Sequence, residues 1–115
     1  MKGIVWGSTF ESACEKLDEI IDDYVRFRCG IDKIAKNKNS YYVYFQNGDI
    51  WRAVKTSDVM LGARCNIAYV ERNISYDVFC TIIGPCTICP PFSAIQLYGE
   101  GNLHITDKIT ELPFV

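Results

Sequence analysis

Two short stretches carry residues whose types and spacing could do chemistry. PCTICPP places Cys86 and Cys89 with two residues between them, the spacing of a redox dithiol or of half a zinc site. A redox pair wants its first thiol at a helix N-terminus, and two prolines directly after Cys89 do not supply that setting. Zinc needs further ligands, with Cys80 and Cys65 the nearest thiols, but no second close pair exists. A packed, incidental pair is the preferred reading and zinc the alternative cofactor. The second stretch, NIAYVER, ends an apolar run on Glu71 and Arg72. Outside the carboxyl end of a strand is where an α/β sheet carries its sites, although a core strand also turns polar simply on reaching the surface.

Other reactive residues stand apart. His104 is the single histidine and lies in a polar tail without a neighbouring nucleophile, so a Cys-His pair is not expected. Glu15, Asp18, Glu19, Asp22 and Asp23 recur on one side of a helical repeat, where a solvated face explains them.

The elements that must position these groups follow from periodicity. GIVWG (Gly3 to Gly7) reads as a short buried strand. Ser8 with Glu11 forms a capping box. Phe10, Ala13, Cys14, Leu17, Ile20, Ile21, Tyr24 and Val25 then make a core-facing helical stripe, which Gly30 closes from a left-handed position. IDKIAK suggests a second strand. YYVYFQ and DIWRAV flank Asn47-Gly48, the signal for a type I′ hairpin. Tyr41, Val43 and Phe45 share one face of that hairpin, and Tyr42 and Tyr44 the other. RCNIAYV is a further strand and NISYDVFCTIIG has helical spacing. Pro85, Pro90 and Pro91 break the chain, and SAIQLYG reads as a last strand. The expected fold is α/β (or α+β). One long N-terminal helix packs on a four- to five-stranded mixed sheet in two layers, with the first strand and the one after Cys65 in the centre.

A chain of 115 residues, 49% hydrophobic, is read as one domain with a core of its own. A net charge of −2 weighs against a free-standing nucleic-acid binder. No apolar run approaches the ~20 residues of a membrane span, and the N-terminus lacks a signal peptide's apolar stretch. The expected location is a cytoplasm, with the six cysteines reduced.

The order of motifs adds one likeness. A strand enters a helix opened by a small hydroxyl residue, and an antiparallel pair carrying FQNGD follows. A Gly-x-Arg loop ending at Arg64 then leads to the strand that stops on Glu71. From Gly3 to Ile74 this resembles the ATPase core of phage terminase large subunits, downstream of the phosphate-binding loop. The resemblance implies a phage or mobile-element origin. It also makes Glu71, Arg72 and Arg64 the positions of a nucleotide and metal site. There the family's strand ends in Asp-Glu, the Asp holding Mg²⁺ and the Glu orienting water. Arg72 in the second place cannot polarise a nucleophile, and no GxxxxGK[ST] occurs. The expectation is a degenerate core without catalytic residues or cofactor that binds itself or a larger protein.

A third reading concerns Lys33, Lys36 and Lys38 beside Tyr42 and Tyr44. Such a cluster suits single-stranded nucleic acid, but an edge strand guarded by lysines is the preferred explanation. Trp51 is expected as an exposed anchor of a partner surface.

Overall fold

The computed structural model describes residues 1–56, 64–87 and 93–104. The elements in chain order begin with β1 (Lys2–Gly7), α1 (Phe10–Phe27), β2 (Ile31–Lys36), β3 (Tyr41–Phe45), β4 (Ile50–Lys55) and β5 (Ile67–Glu71). A helical run follows, made of α2 (Tyr76–Val78), a π-helical turn (Phe79–Ile83) and α3 (Gly84–Cys86), and then β6 (Ala94–Tyr98). The six strands form one sheet in the order β2-β3-β4-β1-β5-β6. Strands β4, β1, β5 and β6 run parallel, whereas β2-β3-β4 is an antiparallel meander. The fold is α+β. It holds six strands because both the IDKIAK and SAIQLYG segments pair.

Burial explains the order. Gly3 through Gly7 are all buried, as a strand covered on both faces requires. Val5 points to α1 with Ala13, Leu17, Tyr24, Val43, Phe45 and Trp51. Its neighbours Ile4 and Trp6 point the other way, into a second cluster with Val70, Phe79 and Ile83. α1 therefore covers one face, while the helical run after β5 covers part of the other. Among the described residues, the second cluster takes none from β2 or β3 and only Val54 from β4.

Several local expectations are corrected. Thr9, not Ser8, caps α1, its Oγ1 accepting the Ser12 N–H at 3.1 Å. Gly30 does not take a left-handed backbone. Instead the Arg28 and Cys29 N–H groups both reach the Tyr24 carbonyl, and the Gly30 carbonyl accepts from Gln46 N. Val25, assigned to the core stripe, is exposed. The Asn47-Gly48 turn is not type I′, because Asn47 keeps a negative φ and only Gly48 is left-handed, at +93°. Gly48 N bonds the Phe45 carbonyl and Phe45 N bonds the Asp49 carbonyl, a type I turn closed by a glycine bulge. Pro85 does not break the helical run. The widened turn before it bonds Gly84 N to the Phe79 carbonyl, and Pro85 sits in the first turn of α3, where no N–H is needed.

Candidate ligand-binding face

Glu71 closes β5 beside the turn from β1 into α1. Its Oε1 accepts the Ser8 N–H and the Ser8 hydroxyl, each at 2.9 Å. The Ser12 hydroxyl lies 2.9 Å from the same oxygen and 3.0 Å from the Thr9 carbonyl. Asn73 donates to Ser8 Oγ at 3.0 Å. An internal carboxylate thus fills the position at the head of α1 that an incoming anion would need. The surrounding hollow, about 290 Å³, is also lined by Glu15 and Glu19, with Lys16 the one cation among its described lining residues, an arrangement that disfavours phosphates. Tyr98 adjoins it, its hydroxyl donating to the Trp6 carbonyl at 3.1 Å. Burial pushes this phenol up, the Glu71 charge adds to the rise, and the Ser12 hydroxyl opposes it.

The other two residues named with Glu71 do not join it. Arg72 is structural, its guanidinium donating to the Gly99 carbonyl at 3.0 Å and its backbone bonding Tyr98 and Leu103. Arg64 precedes β5 at the opposite end of the sheet, where it lines a hollow of about 280 Å³ with Lys2, Ile4, Tyr42, Tyr44, Ile50 and Arg52.

That hollow lies on the second sheet face, and strand register builds it. β3 alternates, burying Tyr41, Val43 and Phe45 under α1 and turning Tyr42 and Tyr44 outward, half-buried. On β4 Arg52 lies opposite Tyr42, and on β2 Lys33 lies opposite Tyr44. The Arg52 guanidinium is 4.9 Å from the Tyr42 ring centre and the Lys33 ammonium 6.0 Å from that of Tyr44, within cation–π range. The two rings are nearly parallel, 14° apart with centroids separated by 6.3 Å. Lys2 and Arg64 stand at the edge of the same hollow, and its described lining contains no carboxylate. The acids Glu11, Glu15, Asp18, Glu19, Asp22 and Asp23 are exposed on α1, which packs on the reverse of the sheet. Among the described residues, the six acids of α1 and the cations of the hollow thus lie on opposite faces of the sheet.

Family models, curated proteins and solved structures give no match to this chain.

The remaining assigned residues divide. Lys36 lies opposite Tyr41 and 4.4 Å from its ring, on the helix side of the edge strand. Lys38 is exposed in the β2–β3 turn. Trp51, expected as an exposed anchor, is buried under α1 at 2% exposure. Its Nε1 donates to Tyr24 Oη at 3.0 Å, and that hydroxyl donates to Asp49 Oδ2 at 3.0 Å. The indole crosses β1 at Gly3, where any Cβ would overlap it. Cys89 lies outside the described residues. Cys80 is exposed, whereas Cys86 packs against the second cluster, and burial raises its thiol with Arg64 opposing. Cys14, Cys29, Cys65, Cys80 and Cys86 are not joined in disulfides. Among the described residues no three His, Cys, Asp or Glu side chains are placed to hold a metal.

Sequence reasoning reached Tyr42, Tyr44 and Lys33 but missed Arg52 and Lys2. The signal for Arg52 was present in IWRAV, whose alternation puts Trp51 and Ala53 on one face and Ile50 and Arg52 on the other.

Proposed function

We propose that the chain is a small non-catalytic binding domain that holds an anionic partner on the second face of its sheet, beside Lys2, Lys33 and Arg64. One observation carries this reading: a hollow edged by Lys2 and Arg64, with Lys33 beside it and no carboxylate among its described lining residues, in a chain that is acidic as a whole. Cations gathered on one face while acids occupy the other create a local positive potential that net charge conceals. The non-catalytic part rests on Glu71, whose carboxylate is engaged in holding the β1–α1 turn rather than facing a substrate. Descent from a terminase-like core of a phage or mobile element, its phosphate-binding loop lost, belongs to the same proposal. The parallel β1–β5 pair with an acid beside the β1–α1 turn supports it. The location proposed is a cytoplasm, where free thiols persist. No described helix is long and apolar enough to cross a membrane.

Heparin serves as a generic polyanion for the test. Binding at low ionic strength that weakens steeply with salt is expected, and K2E/K33E, at two exposed lysines, should weaken it while leaving the unfolding midpoint in place. Mg-ATP should give no micromolar isotherm by calorimetry. Failure to retain heparin at any salt concentration would refute the binding face, and tight Mg-ATP binding would refute the non-catalytic reading.

The separation of charge also favours a second reading, in which the acidic face of α1 on one copy meets the basic face of another. Sedimentation velocity at low and high salt tests it: a salt-sensitive oligomer is expected, and a monomer under both conditions removes it.

A further inference from the structure

We propose that the hollow at the C-terminal end of α1 binds a second copy of this chain, each copy placing its Phe27 in the hollow of the other across a two-fold axis. This interface is separate from the anion-binding face and goes beyond it. The hollow, about 300 Å³, lies between the last turns of α1 and the starting ends of β4 and β5. Its lining includes the buried Ile20, Tyr24 and Trp51 and the half-buried Ile67 and Tyr69. α1 packs chiefly on β1 and β4, so the helix-side residues of β5 stay partly uncovered. Phe27 follows Ile20, Asp23 and Tyr24 at helical spacings of three and four and lines the same hollow, yet it is 74% exposed. Arg26 comes no nearer to its ring centre than 5.9 Å. A lone exposed hydrophobe needs no explanation. What sets Phe27 apart is the apolar hollow beside it.

Two charges of opposite sign name the occupant. Asp23 and Arg28 both line the hollow. Both act on the Tyr69 phenol, which burial pushes up, Asp23 pushes further and Arg28 opposes. The ion pairs among the described residues are Met1–Asp49 and Lys16–Glu19, so Asp23 and Arg28 pair neither with each other nor with another charge. Arg28 lies 5.1 Å from the Tyr24 ring centre, a contact that leaves its charge without a carboxylate. A two-fold axis sets residue i of one copy against j of the other, and j against i. A surface that carries an apolar knob, an apolar hollow, one acid and one base side by side is complementary to itself under that operation. Phe27 enters the partner's hollow, and Asp23 meets the partner's Arg28 twice over. A foreign partner of one charge sign would satisfy only one of the two. An aromatic anchor seated in a pocket with charges around it is the arrangement of an interface hot spot. Two such anchors, at roughly 150–250 Å² each, fall short of a standard interface, so the dimer is weak and depends on concentration.

Sedimentation velocity of the full chain over a wide range of concentration, at low and high salt, is the experiment. A dimer that grows with concentration and persists in high salt is expected, because its anchor is apolar. F27A is expected to raise the dimer dissociation constant at least about thirtyfold, while leaving the unfolding midpoint and heparin binding in place. D23R should weaken the dimer and D23R/R28D, which exchanges the two charges, should restore it. K2E/K33E should leave it unchanged. Isotope-filtered resonance spectra of mixed labelled and unlabelled chain should place Phe27 of one copy against Ile67 of the other, which keeps the test open if a variant does not fold. A monomer at every concentration overturns the inference and leaves the anion-binding face standing. A dimer that F27A or D23R does not weaken, or a double exchange no better than D23R, overturns it as well. So does a dimer that high salt dissolves, in favour of the association of opposite faces described above. If heparin does not bind but an F27A-sensitive dimer forms, the anion-binding face falls and this inference stands.

Discussion

Replacing Glu71 by alanine should destabilise the fold, and the size of the loss can be worked from its partners. Oε1 accepts three contacts at 2.9 Å, from Ser8 N, Ser8 Oγ and Ser12 Oγ. Two of the donors have other recourse. Ser12 keeps the Thr9 carbonyl at 3.0 Å, and the Ser8 hydroxyl can turn to water. The Ser8 N–H cannot move, and bonds to a charged partner contribute roughly 1.5–3 kcal/mol each. With the hydroxyls largely re-satisfied, the net cost of E71A is about 2–3 kcal/mol. For a chain of this size that corresponds to a fall in Tm of roughly 10 °C. Urea unfolding followed by Trp fluorescence measures it, since Trp6 and Trp51 are both buried. E71Q keeps the shape but not the charge and should lie between wild type and E71A. A carboxylate held for catalysis behaves in the opposite way, because active-site groups are retained at a cost in stability. An E71A protein as stable as the parent, or more stable, would refute the structural role assigned here.

Further consequences are local. G3A should cost about 3 kcal/mol, the upper end of overpacking penalties, because the Trp51 indole it would strike is held by Tyr24 and has no room to yield; chemical denaturation checks it. Asp49 is subject to burial that would raise its pKa. The Met1 amine at 3.1 Å, the Tyr24 hydroxyl and the Asn47 amide together outweigh this and hold it below the usual carboxylate range. A lowered folded value contributes stability above the unfolded pKa that is lost as pH falls through the folded one. Wild type should therefore lose more stability in acid than D49N, and equal acid profiles would contradict this. Burial raises the phenols of Tyr24, Tyr41, Tyr69 and Tyr98 above the ordinary value of 10.0. A raised folded value gives stability that is complete below pH 10 and lost above it. Ultraviolet titration should show these four ionising late and together with unfolding.

What was legible in the sequence was what local pattern determines. The continuous apolar run of β1, the α1 stripe and the alternation of β3 each carry their own period. The boundaries were not, because tertiary partners decided them. Ser8 has the right chemistry for a cap, but Glu71, sixty-three residues away, takes its N–H and hydroxyl, and Thr9 caps the helix instead. The Asn47 side chain accepts from Asp49 N at 2.9 Å, which favours the three-residue loop over the two-residue turn that Asn-Gly suggests. The site was half legible. Tyr42, Tyr44 and Lys33 lie within twelve residues of each other, so one stretch of sequence shows them. Lys2, Arg52 and Arg64 reach the same hollow only through the β1–β4 and β1–β5 pairings. Arg64 in particular was grouped with Glu71 by the motif order of the family resemblance, although a full strand length separates them.

Nuclear magnetic resonance mapping of a heparin titration tests the central claim most directly. The account predicts amide and side-chain shifts concentrated at Lys2, Lys33, Tyr42, Tyr44 and Arg52, with Ser8, Ser12 and Glu71 unmoved. Shifts centred on Ser8, Ser12 and Glu71, with the tyrosine face silent, would contradict it.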